Sequence, residues 1–167
     1  MNRPGINPAV ILGLVIFALG ALLAVMNAQP TRPQPAHTAH TASQESHSVW
    51  DGVYTQAQAQ RGQALYTQQC SSCHGEKLTG KESEDSPALT GGDFQSEWTG
   101  RTVGDLFRKI LRKMPQDNPG KLTPQQSADL VAYILSFNAF PAGKAELPPQ
   151  NDALATIHID AKKPNQK

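Results

Sequence analysis

The sequence predicts a small all-α domain, and three observations predict it. Helix-start signals at Thr55 and Thr123 precede apolar residues at helical spacing, and a third signal of the same kind stands at Thr102. No segment alternates convincingly with period two. The domain these helices define runs over residues 50–140, about 90 residues. That is a small core, which a bound prosthetic group would enlarge. With 167 residues and a formal net charge of +1, nothing global points to nucleic acid.

Residues 1–28 are predicted to be a membrane anchor. Ala9 to Met26 run eighteen residues without a charge, which as a helix is about 27 Å, against roughly 30 Å of bilayer hydrocarbon. A cleaved signal peptide is the rival, with an apolar region of ~7–15 residues ending at a small-x-small site. Ala28 has bulky Met26 two positions before it, and Ala24 has Leu22. The small-x-small fit, Ala18-Leu19-Gly20, lies inside the apolar run. An uncleaved anchor is therefore the reading, with a soluble exported form after cleavage as the alternative. Arg3 and Arg32 balance, so flanking charge does not set orientation. Residues 29–49 are rich in Pro, Thr, Gln, Ser and His, too poor in apolar side chains to offset the entropy of folding, and read as a flexible linker. His37, His40 and His47 read as solvated, since no other ligand types accompany them.

Thr55-Gln56-Ala57-Gln58 has the form of a capping box and starts a helix toward Cys70. Gly62, Leu65, Tyr66 and Gln69 fall on one side of it. A glycine inside a helix costs about 1 kcal/mol relative to alanine, so Gly62 signals close approach of another helix.

Cys70-Ser71-Ser72-Cys73-His74 is a C-x-x-C-H and holds both cysteines of the chain. It reads as a covalent haem attachment site. Two thiols three residues apart on one helical turn can add to the two vinyl groups of a porphyrin, and His74 is then held to ligate the iron. A thioredoxin-type disulfide would sit near a βαβ pattern, and none precedes it. A structural zinc site needs four ligands, and there is no second cysteine pair.

Gly75 to Thr99 is glycine-rich and polar and reads as a long loop around the group. The next helix starts at Thr102, with Asp105 in its first turn, favourable to the dipole. Leu106, Phe107, Ile110 and Leu111 form its buried stripe, and Arg108, Lys109, Arg112 and Lys113 its basic side; Pro115 closes it. Met114, forty residues beyond His74, is then the candidate second axial ligand. A Met/His pair raises reduction potential and leaves no open position, which suits electron transfer. The competing reading is a core methionine. Met1 and Met26 both belong to the anchor, and His158 lies in the tail. The last helix has Thr123 as N-cap, Pro124 at N1 and Gln126 at N3. Leu130, Val131, Ile134, Leu135 and Phe137, beside Tyr133, form its apolar face, for which the Gly62/Tyr66 face is the partner. In the tail, residues 141–167, Leu154, Ile157 and Ile159 are positioned to pack back on the domain.

Arg61 to Tyr66 (R-G-x-x-L-Y), the C-S-S-C-H, Pro87-Ala88-Leu89, Leu106 to Ile110, Met114-Pro115 and the Leu130–Phe137 helix together resemble a class I c-type cytochrome. The resemblance covers residues 54–140. It implies one covalent haem c per chain, a crossing of first and last helices at Gly62 and Tyr66, and a loop proline, best carried by Pro87, whose carbonyl accepts from the axial histidine. The finer pattern around Trp50 and Trp98 is similar to membrane-tethered single-haem cytochromes that accompany bacterial quinoprotein dehydrogenases. By that resemblance Leu89 and Trp98 line the haem pocket; a plain core role for Trp98 stays open. The resemblance further implies an electron carrier rather than an enzyme. It would sit at the cytoplasmic membrane with its haem domain in the periplasm, passing electrons from a dehydrogenase to a cytochrome or oxidase. Alternatives are a haem-bearing subunit of an oxidase or dehydrogenase complex, a peroxidase, or a gas sensor. The last two want an open or displaceable site, which Met114 argues against.

Overall fold

Thr55, Thr102 and Thr123 each start a helix, their hydroxyls accepting from the backbone N–H three residues on at 3.1, 3.1 and 3.2 Å. The computed structural model describes residues 47–81 and 86–163, all within one unit, Ala42–Lys167. In chain order the elements are β1 (His47–Ser48), a 3-10 turn (Val49–Asp51), α1 (Gln56–Gln69), α2 (Ser71–His74), α3 (Gly91–Trp98), α4 (Val103–Lys113), α5 (Pro124–Phe137), α6 (Asn151–Leu154) and β2 (Ile157–His158). The expected anchor over residues 1–28 and most of the linker, with His37 and His40, lie outside the described residues. Among the described residues no helix is long and apolar enough to cross a membrane.

α4 and α5 carry complete capping boxes, because Asp105 and Gln126 accept in return from the N–H of Thr102 (3.1 Å) and Thr123 (2.9 Å). The Thr102 backbone N–H is also the main reason the Asp105 carboxyl is held below the usual carboxylate range. The third box, expected at Thr55, is only half formed. Gln58 is fully buried, and its amide faces the tail instead, donating to the Leu147 carbonyl at 3.0 Å and accepting from its N–H at 2.8 Å. A buried amide that satisfies both its ends this way costs nothing in unpaired polar groups.

α1 and α5 cross at Gly62. A Cβ there would stand 1.9 Å from the Asp129 carbonyl oxygen and 2.8 Å from the Tyr133 Cβ, so only glycine lets the backbones meet. One turn on, the Tyr66 and Tyr133 rings pack at a tilt, 5.3 Å between centroids. Arg61 spans the same crossing, pairing with Asp129 at 3.0 Å and with Glu146 of the tail at 2.8 Å. On α5 the segment Ser127–Leu135 is buried throughout. Phe137, read as part of that face, is 41% exposed, its ring edge against Tyr133 at 6.0 Å. It sits in the last turn, where the helix has already passed its partner.

Two further differences from the sequence reading stand out. The stretch 75–99 is not all loop, since α3 forms within it and buries Phe94 and Trp98. The fold also extends past both expected ends. Val49 and Ser48, placed in the linker, are buried, and β1 pairs in parallel with β2. Ser48 donates to the Asp160 carboxylate at 2.6 Å, and Trp50 donates its indole N–H to the Asp160 carbonyl at 2.9 Å. Leu154, Ile157 and Ile159 are buried in the same core as the helices, as expected from the tail sequence. Ile159 exchanges backbone hydrogen bonds with Gly100 and Arg101 at 3.0 and 2.9 Å. The two strands have two residues each, so the domain remains helical in class.

Candidate functional site

The cysteines and His74 stand on one turn because the chain coils twice in succession. α1 ends as the Cys70 N–H reaches the Tyr66 carbonyl, and α2 begins at once, with the His74 N–H on the Cys70 carbonyl at 2.9 Å. The Tyr66 hydroxyl secures the far end by donating to the Gly75 carbonyl at 2.7 Å. Cys70, Cys73 and His74 thus line one side of a cavity of about 650 Å³, a size within the ~300–1,000 Å³ of cofactor sites. Pro87, Leu89, Trp98 and Met114 line it too, so all seven residues singled out in the sequence share one cavity.

The His74 ring is 2.9 Å through Nδ1 from the Pro87 carbonyl oxygen. A carbonyl can only accept, so Nδ1 carries the proton and Nε2 is left with a free lone pair, the ligating form of the ring. The loop that brings Pro87 there folds back on itself at Gly80, where a Cβ would stand 2.5 Å from the Ser86 carbonyl and 2.7 Å from the Ala88 nitrogen. The Gly80 N–H bonds the His74 carbonyl at 2.9 Å, and the Leu89 N–H bonds the Leu78 carbonyl at 2.7 Å.

Met114 follows the last turn of α4, extended at φ −119° and ψ 150°, as a residue before proline is obliged to be. Trp98 is both core and wall: it is buried against Phe94, lines the cavity, and carries Arg101 and Lys109 over its ring at 5.5 and 5.3 Å. Leu106, Ile110, Leu130 and Ile134 complete an apolar lining.

The chemistry of the thiols argues against a disulfide. Both cysteines are free, and burial, reinforced by Cys73, pushes the Cys70 thiol up to about 11. Redox C-x-x-C motifs do the reverse and lower it. Among the described residues no cluster of three or more His, Cys, Asp or Glu is placed to hold a metal ion. His47 and His158 stand in the two paired strands, and neither lines the cavity.

Sequence reasoning missed the acidic part of the lining. Asp93, Glu97 and Asp117 border the cavity beside Lys109 of the basic side of α4, and only a structure can bring α3 and the turn after Met114 to one rim. The basic side of α4 is partly compensated. Arg101 and Lys109 reach Glu97 at 3.3 and 4.0 Å, and Arg108 pairs with Asp105.

The residues fit a haem: two thiols and a histidine whose Nδ1 faces a carbonyl on one turn, a thioether, and an apolar lining of sufficient volume. The family comparison agrees. Residues 57–134 match the family described as cytochrome c oxidase, cbb3-type, subunit III. No curated protein matches the sequence. Among solved structures the chain is similar to the sulfane dehydrogenase SoxCD from Paracoccus pantotrophus, at 22% identity and a TM-score of 0.39. The match covers 55% of this chain and 53% of that one, so the chain spans about half the length of that relative. Residues 57–134 are a class I c-type cytochrome domain, whose family implies haem c as the cofactor.

Proposed function

We propose that this chain is a single-haem electron carrier, with Cys70 and Cys73 tethering the haem and His74 and Met114 as its axial ligands. The observation that carries it is the 2.9 Å contact of His74 Nδ1 with the Pro87 carbonyl, in the cavity that Met114 also lines. When bound, the haem supplies one-electron oxidation and reduction. The chain's residues keep that change small in structural terms. Pro87 holds the His74 ring and its proton in place and raises the basicity of Nε2. Met114, which lines the same cavity, would offer the haem a soft, neutral sulfur, a donor that favours the reduced state. Leu89, Trp98, Leu106, Ile110, Leu130 and Ile134 exclude water, so little solvent reorganises when charge changes. Acidified organic extraction of the exported protein is expected to leave one haem per chain with the polypeptide. Haem that partitions into the solvent would disprove the thioether attachment.

The same reading puts the domain in the periplasm, taking electrons from a dehydrogenase and passing them to a cytochrome or oxidase. Residues 1–28 would hold it at the cytoplasmic membrane. A linker of about twenty residues has a flexible reach near 25 Å, enough for one tethered domain to visit donor and acceptor in turn at high local concentration. Alkaline carbonate washing is then expected to leave the full-length protein in the membrane pellet; release would show that the segment is cleaved. A second reading, a haem-bearing subunit of an oxidase, is favoured by the description of the family that residues 57–134 match. Stable co-purification with oxidase subunits in detergent would select it over the mobile carrier.

A further inference from the structure

Asn138 closes α5 and belongs to none of the motifs above. Its side-chain amide makes three hydrogen bonds, to three different parts of the fold. Nδ2 donates to the Ile134 carbonyl of its own helix at 2.9 Å and to the Leu89 carbonyl of the cavity loop at 2.9 Å. Oδ1 accepts from the Gly91 N–H at 3.2 Å. The orientation of the amide is not in doubt, because two partners can only accept and the third can only donate. Gly91 is the first residue of α3, and the N-cap Thr90 makes no side-chain cap bond, so Asn138 supplies the missing acceptor at that helix start.

We infer that Asn138 is a positioning residue for the axial histidine, acting through the loop 87–91. Leu89 is fixed at both backbone groups, its N–H on Leu78 and its carbonyl on Asn138. Pro87, two residues earlier, has its carbonyl on His74 Nδ1. Leu89 itself lines the cavity, and Gly91 opens the helix that carries Trp98 to the opposite end. One amide therefore ties the partner of His74 and the start of the Trp98 helix to the end of the longest buried helix. Without it, the loop loses one of its tethers beside the Leu89–Leu78 bond and the Lys81–Ser86 backbone pair, and the Pro87 carbonyl gains freedom to drift from Nδ1. A weaker hydrogen bond at Nδ1 makes Nε2 a poorer donor, which favours the reduced state.

The inference rests on the haem reading, and the experiment separates the two. The haem-loaded proteins compared are wild type, Asn138→Ala, and Asn138→Ala combined with Ala139→Gly. Ala139 has φ +62°, a conformation glycine adopts without strain. The second change therefore strengthens the helix end and offsets lost stability without restoring the link to Leu89. The readouts are the midpoint potential and the exchange rate of the His74 Nδ1 proton by NMR. Both variants are expected to show a raised midpoint, equivalent to a several-fold change in the oxidised-to-reduced ratio at fixed potential, and several-fold faster Nδ1 proton exchange. If the double variant returns to wild-type values as its stability recovers, or if neither variant moves either readout, Asn138 is a helix cap and nothing more. A wild type without covalent haem would overturn the functional reading first, and this inference with it.

Discussion

A Gly62→Ala variant is expected to lose stability at or beyond the top of the ~1–3 kcal/mol that overpacking usually costs. The added methyl would meet the Asp129 carbonyl oxygen at 1.9 Å and its carbon at 2.6 Å. These are backbone atoms in the middle of a buried helix, so no side-chain rotation relieves them. α1 and α5 must separate, and separation breaks the Tyr66–Tyr133 contact and the Arg61–Asp129 pair on the same crossing. For a domain whose total stability is roughly 5–15 kcal/mol, this is a large fraction. Denaturant titration of the haem-loaded protein measures it. Gly92→Ala is the control: no atom lies within 4 Å of its added Cβ, and alanine gains up to about 1 kcal/mol over glycine in a helix. Equal stability losses in the two variants would show that the crossing does not depend on Gly62.

Met114→Ala should convert a closed site into an open one. Removing the thioether takes away the soft ligand that favours the reduced state, so the midpoint potential falls. The fall is expected to be on the order of 100 mV or more, within the roughly 0.8 V over which axial ligands tune haem. If Met114 is the second ligand as proposed, carbon monoxide should enter the wild type slowly, since Met114 must first leave, and should bind the reduced variant quickly. Met114 lies at the end of α4 and is only half-buried, so the fold is expected to survive. Rapid carbon monoxide binding by the wild type would sink the carrier reading and favour a sensor or peroxidase.

The helices that were legible in the sequence are those with local start signals. Thr102/Asp105 and Thr123/Gln126 sit three residues apart and act within one turn, so their chemistry can be read without a fold. The site was legible for the same reason, since Cys70, Cys73 and His74 share a single turn. Met114 stood out because α4 ends there at a proline. α3 was hidden by its own composition: it opens on Gly91-Gly92 and offers only Phe94 and Trp98 as an apolar signal. Those two are four residues apart, which is helical spacing, so a weak signal existed. Gln58 misled for a physical reason. Its position matches a capping partner, yet its amide finds Leu147, 89 residues away, and no local pattern encodes such a bond. Asn138 is similar, with its loop partner 49 residues distant. Polar side chains that bridge remote segments carry no periodicity, and they are what sequence reading loses.

The pairing of residues 47–50 with 157–160 also constrains the order in which the protein assembles. Ser48 and Asp160 are 112 residues apart, and Trp50 and Asp160 are 110. The corner at Gly100 and Arg101, next to Trp98, has its backbone partners at Ile159. A chain made amino end first presents Cys70 and Cys73 long before residue 159 arrives. Until then that corner lacks its partners and the Gln58 amide lacks Leu147. The pairing of the two ends can therefore form only after the cysteine turn has been made, at the loop-closure cost of joining segments more than a hundred residues apart.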